Sequence, residues 1–213
     1  MRVTWYFDFI SPFAYLQCER LNQLPVGTEI EYRPVLFAGL LNHWDHKGPA
    51  EIPPKRRFAY RQALWIARRD GISFRAPPAH PFNPIGALRL AIAMGCEGDT
   101  VRSIFRFIWA EGHRPDDPDS WNSLVERLNV PDANDRIASP DIKLALRSNT
   151  EEAIGLGVFG VPTIAIEKEL FWGYDMTDMA AAYLGDPLAF EDTEMQRMSE
   201  LPIGVERRSR RGQ

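Results

Sequence analysis

The residues best placed to do chemistry lie in three short stretches. In Phe7-Asp8-Phe9-Ile10-Ser11-Pro12-Phe13-Ala14-Tyr15-Leu16 a serine–proline pair ends an apolar run and opens a helical pattern. Serine is a preferred N-cap, and proline at the first helical position gives up only an N–H that has no partner there. A helix N-terminus offers free N–H groups and about half a positive charge, which favours an anion nearby. A ligand thiol docked at Ser11 would have its thiolate stabilised by that field and by an O–H···S⁻ hydrogen bond, the usual route to a neutral-pH nucleophile. The simpler alternative is that Ser11 does nothing beyond capping the helix. The second stretch is Phe159-Gly160-Val161-Pro162-Thr163, and the third is Phe171-Trp172-Gly173-Tyr174-Asp175. His43 and His46 are close in sequence, but no third or fourth ligand stands near them, so no metal site is expected. Cys18 and Cys96 suggest no disulfide framework, and Cys18, seven residues past Ser11, reads as core.

These stretches need elements to hold them. Arg2 to Ile10 is nearly continuous apolar and aromatic sequence, as in a strand buried on both faces. The helix opened by Ser11-Pro12 is expected to run to about Gln23, with Ala14, Cys18, Leu21 and Leu24 on one side, until Pro25 and Gly27 end it. Glu29 to Val35 alternates as a second strand, and the strand–helix–strand unit should cross over right-handed. From Phe37 to Gly157 the patterns are helical: Pro54–Arg69, Pro84–Met94, Thr100–Glu111, Ser120–Leu128 and Ser139–Leu156. The first of these is basic and amphipathic, which reads as a solvated face. Ile164–Ile166 and Leu170–Trp172 form a hairpin, and Asp175 caps a final helix that turns Met176, Met179, Ala180, Tyr183 and Leu184 inward. The reading is an α/β fold. Its first part, 1–36, and second part, 158–188, are separated by an all-helical insertion, 37–157, and followed by a tail, 189–213, expected to be partly disordered.

Composition limits the function further. The formal charge of −4 argues against nucleic-acid binding, and the basic run Glu206-Arg207-Arg208-Ser209-Arg210-Arg211 reads as part of the tail. No run of 18 or more apolar residues suggests a membrane span, and no basic-then-apolar leader follows Met1, so a reducing cytoplasm is expected.

The order of elements resembles the thioredoxin fold, in which a proline in cis faces a reactive group at the first helix start. Ser11-Pro12-Phe13-Ala14 stands where a redox member carries Cys-x-x-Cys, so dithiol–disulfide exchange is not expected. The three stretches, with Pro54-Lys55-Arg56-Arg57 and the helical insertion, are similar to 2-hydroxychromene-2-carboxylate isomerases and kappa-class glutathione transferases from about Val3 to Leu184. The resemblance implies bound glutathione. Ser11 would meet its sulfur, and the Val161 backbone, beside cis-Pro162, would pair with the cysteinyl unit as an added strand does. Tyr174 and Asp175 would take the γ-glutamyl end. Lys55, or less directly Lys47, would meet the glycine carboxylate. Two departures fall on these contacts: Met176 stands where many relatives have arginine, and His46-Lys47-Gly48-Pro49 where they often have Gly-Asn. Asn83, which equally suits a helix cap, and an aromatic wall drawn from Phe37, Trp44, Trp65, Phe82 and Trp109 are candidates for the second-substrate pocket. The expected activity is a glutathione-dependent isomerase acting on a small unsaturated acid. The alternatives are a glutathione transferase and a non-catalytic binding module of the same fold. Members of both enzyme families are commonly dimers, which extends to this chain the expectation of a homodimer.

Overall fold

The computed structural model describes residues 1–205. Strand β1 (Arg2–Phe7) pairs in parallel with β2 (Glu29–Pro34) and antiparallel with β3 (Thr163–Ile166), which returns through β4 (Glu169–Trp172). The sheet order is β2-β1-β3-β4. The alternating side chains of β1 are buried on both faces, which is why its sequence lacks polar alternation. Trp5 and Phe7 stack on each other in the larger core, where Phe9 and Phe105 pack against Phe7 and Tyr15 lies against Phe105. Tyr6 faces a smaller cluster with Val35, Leu40, Val158 and Val161.

Helix α1 (Pro12–Cys18) follows the first strand, and a 3-10 turn at Leu21–Gln23 replaces its expected last turn. The helix is therefore shorter than the apolar spacing predicts. The strand is shorter too, because the Asp8 carboxylate draws in the Ile10 N–H and bends the chain out of the ladder. Helix α2 (Phe37–His43), which the sequence pattern did not reveal, packs beside the smaller core. The helices α3 (Pro53–Arg69), α4 (Ile85–Ala93), α5 (Gly98–Trp109), α6 (Pro118–Arg127), α7 (Ala133–Ala138) and α8 (Pro140–Gly155) complete the middle of the chain. Apolar residues of α3, α4 and α5 share one continuous core with the sheet.

Helix α9 (Thr177–Gly185) turns Thr177, Ala180 and Leu184 inward. Met179 is exposed, contrary to expectation, and Asp175 is not the cap: a 3-10 turn at Tyr174–Met176 leads in and Met176 holds the N-cap position. Part of the expected tail is helical, as α10 (Thr193–Ser199), capped by the Asp192 carboxylate. The run Glu206–Arg211 lies outside the described residues. Among the described residues no helix is long and apolar enough to cross a membrane.

Candidate active site

The register of β1 on β3 sets Tyr6 opposite Thr163, so the segment before Thr163 runs beside the end of β1, where the chain turns toward Ser11. The Val161–Pro162 peptide is cis. Trp44 at the end of α2 donates its indole N–H to the Val158 carbonyl (3.0 Å), and the Thr163 hydroxyl donates to the Gly160 carbonyl (2.8 Å). Gly173 N–H donates to the Pro162 carbonyl (2.9 Å). These bonds fix the loop around Val161. Its own N–H and carbonyl engage no partner among the described residues.

Ser11 is 8% exposed and caps α1, its hydroxyl oxygen accepting from the Ala14 N–H (3.2 Å). Among the described residues that hydroxyl donates to nothing, so its proton is available to a ligand. The helix that Ser11 opens is seven residues long, shorter than expected, and the influence of its N-terminus on an anion is confined to the first turn, beside the hydroxyl.

The 173–177 turn is tied to α1 through Gln17, which is fully buried. Its side-chain amide donates to the Gly173 carbonyl (2.9 Å) and the Thr177 hydroxyl (3.0 Å), and its oxygen accepts the Trp5 indole N–H (2.7 Å). Gly173 has φ +113°, and a Cβ there would lie 2.7 Å from an Asp175 carboxylate oxygen, so this turn requires glycine. Asp175 itself is exposed. Tyr174 is buried, and its hydroxyl donates to Asp70 while accepting from Arg20 (2.7 Å) and Arg69 (2.9 Å). The Arg69 hydrogen bond holds the Asp70 carboxyl down at about 2, and burial pushes the Tyr174 phenol up. The phenol thus anchors the turn to the segment just after α1 and to the end of α3, and its polar capacity is already committed.

Lys55 is exposed at the start of α3, and Lys47 is exposed in the loop before it. Asn83 is exposed, and its side chain accepts the Ile85 N–H (3.0 Å) at the start of α4. Trp109 requires correction as a pocket-wall residue: at 1% exposure it has no free face, and its indole N–H donates to the Phe9 carbonyl (2.8 Å). Phe82 is likewise core. The exposed aromatic rings nearest cis-Pro162 in the chain are Trp172 and Phe159, packed edge-to-face at 4.9 Å. Gly160 gives them room, since a Cβ there would lie 2.4 Å from the Trp172 indole nitrogen.

Two titratable groups, the buried Asp8 and the half-buried His80, flank the Ser11 turn. Asp8 accepts from Ile10 N–H (3.0 Å) and Phe37 N–H (2.9 Å), yet burial pushes its carboxyl up to about 7 against those bonds. His80 lies 2.7 Å from the Ile10 carbonyl, and burial pushes its imidazole below the ordinary range. An acid inside an apolar strand and the His80-Pro81-Phe82-Asn83-Pro84 segment were the available signals for them in the sequence. Cys18 is buried, its thiol pushed up to about 12 by desolvation, and so is inert.

Residues 2–185 match the DSBA-like thioredoxin domain. The chain belongs to this family. Within it the chain is 31% identical over 203 residues to a 2-hydroxychromene-2-carboxylate isomerase of Pseudomonas putida, covering 87% of this chain and 95% of that one. It is 28% identical over 207 residues to the glutathione S-transferase kappa 2 of Caenorhabditis elegans, covering 87% and 92%. A solved structure of a 2-hydroxychromene-2-carboxylate isomerase matches with a TM-score of 0.76 at 25% identity, over 92% of this chain and 99% of that one. The fold is thus thioredoxin-like with a helical insertion, and the chain is an enzyme of this isomerase and transferase group of the DSBA-like family.

Proposed function

We propose that the chain is a glutathione-dependent isomerase of the 2-hydroxychromene-2-carboxylate type. The observation that carries this reading is a buried Ser11 whose hydroxyl proton is uncommitted, just past the end of the strand whose neighbour leads in through cis-Pro162 and a Val161 whose own N–H and carbonyl are unpaired among the described residues. Bound reduced glutathione would supply a thiolate that adds reversibly to an activated carbon–carbon double bond and leaves unchanged after bond rotation. Ser11 donates its hydroxyl to the sulfur and holds the thiol in its anionic form. The Val161 N–H and carbonyl pair with the cysteinyl backbone in the manner of an added strand. The exposed Asp175 carboxylate meets the γ-glutamyl ammonium, with Tyr174 serving to anchor its turn, and Lys55 or Lys47 meets the glycine carboxylate. Trp172 and Phe159 offer apolar surface to an aromatic-derived substrate.

The kappa-type resemblance supports a second reading, a transferase in which sulfur stays bonded to the electrophile. A thermal melt with and without millimolar reduced glutathione tests the shared premise. Ligand at about 100 times its Kd adds roughly 2.7 kcal/mol to the native state, a rise in midpoint of about 5–10 °C for a chain of this size. No rise refutes the reading. Recovery of unmodified glutathione after turnover supports the isomerase, and recovery of a conjugate supports the transferase.

A further inference from the structure

The turn that delivers Ser11 consists of two consecutive peptide units, and each is held at both ends. The Phe9–Ile10 unit has its carbonyl on the Trp109 indole N–H (2.8 Å) and its N–H on the Asp8 carboxylate (3.0 Å). The Ile10–Ser11 unit has its N–H on the Asp8 carbonyl (3.1 Å) and its carbonyl 2.7 Å from His80 Nε2. Buried peptide groups need such partners, and a unit fixed at both ends cannot rotate about its flanking bonds. The direction of the Ser11 side chain follows from the second unit.

His80 is the anchor whose ability to donate depends on its tautomer. Its Nδ1 lies 2.7 Å from the Tyr60 hydroxyl, whose other acceptor, the His80 carbonyl, is farther at 3.3 Å. A tyrosine O–H donating to Nδ1 places the imidazole proton on Nε2, aimed at the Ile10 carbonyl. The ring packs against Trp109 of α5 and its neighbour Phe82, and the titratable or charged groups acting on it are Tyr60 and Arg56 of α3. Burial and Arg56 both favour the neutral ring.

We propose that His80 is a positioning residue for Ser11, with Tyr60 fixing the tautomer in which Nε2–H holds the Ile10 carbonyl. The proposal rests on the glutathione reading of Ser11 above. The competing explanation is that His80 only fills space between Trp109 and Phe82, a task leucine performs equally well. The pKa of enzyme-bound glutathione, followed by the ultraviolet absorbance of its thiolate across pH, separates the two, with glutathione affinity measured alongside by calorimetry. His80→Leu is expected to raise the bound thiol pKa by about one unit, a tenfold loss of thiolate near neutral pH, with affinity nearly unchanged. His80→Gln, which restores an N–H, returns the value to wild type, and Tyr60→Phe falls between. A thiol pKa unmoved in His80→Leu, or moved as far in His80→Gln, overturns the positioning role. If His80→Leu does not fold, Tyr60→Phe decides alone: a shift supports the role and no shift overturns it. A wild-type protein that leaves glutathione at its solution pKa overturns the Ser11 reading and this proposal together. A lowered wild-type value with unmoved variants overturns the positioning alone.

Discussion

Asp8→Asn replaces a buried acid whose two carboxylate oxygens each accept one backbone N–H, from Ile10 and from Phe37. Burial raises the folded-state pKa from 3.8 to about 7. The folded chain therefore binds this proton more tightly than the unfolded chain, and stability must fall as pH rises between those two values. The full penalty is roughly 4 kcal/mol, and about 3 kcal/mol of it develops between about pH 5 and pH 8. Asparagine does not titrate, so the variant lacks this slope. It has one acceptor for two N–H donors, however, and its amide nitrogen must face the second, a fixed cost of about 1–3 kcal/mol. Urea denaturation of both proteins at a series of pH values isolates the effect, because every other titrating group is common to the pair. The variant should be the less stable near pH 5, and the gap should shrink by roughly 3 kcal/mol, closing or reversing, by about pH 8. Stability curves that stay parallel across that range would refute the assignment of a raised carboxyl to Asp8.

Other substitutions separate anchoring from binding. Gln17→Leu strands the Trp5 indole N–H and the Gly173 carbonyl inside the core, and a urea unfolding midpoint should register a loss of about 2–4 kcal/mol. Tyr174→Phe should leave glutathione affinity within about twofold, since the hydroxyl is already shared among Arg20, Arg69 and Asp70, whereas Asp175→Asn should weaken it about tenfold in calorimetry. Equal effects of those two changes would reverse the roles assigned to them. Gly160→Ala pushes a methyl group to 2.4 Å from the Trp172 indole nitrogen; tryptophan fluorescence should change and substrate affinity should drop, and neither will move if the ring swings away freely.

Much of this architecture was legible in the residues themselves. The unbroken apolar run of β1, the Ser11-Pro12 helix start, and the hairpin around Lys168 appear where local pattern places them, because each rests on local chemistry: burial on both faces, a cap, a turn. The first strand comes out short for a reason no periodicity carries, the Asp8 carboxylate bending the chain at Ile10, and the first helix because its last turn is wound as a 3-10 turn at Leu21–Gln23. Helix α2 escaped because Phe37–His43 has few charges to set a polar face and depends on packing against α8. The site divides the same way. Ser11 could be named from its place at a helix start, and Val161 and cis-Pro162 from the resemblance to the thioredoxin fold, while Trp109 looked like a pocket wall because an aromatic on an amphipathic helix has no marker of which neighbour it meets. The roles of His80 and Gln17 depend on partners 70 and 156 residues away and could not be read along the chain.

The central claim, that Ser11 holds a ligand thiol as its thiolate, is tested most directly by titrating glutathione bound to the wild-type protein and to Ser11→Ala. Free thiols titrate near 8.5, and the wild-type complex should bring that value down by one unit or more, to about 7.5 or below. Ser11→Ala should keep its fold and bind glutathione with the thiol back near its solution value. A bound thiol pKa that is unshifted in the wild type, or equally lowered in the alanine variant, would contradict the account.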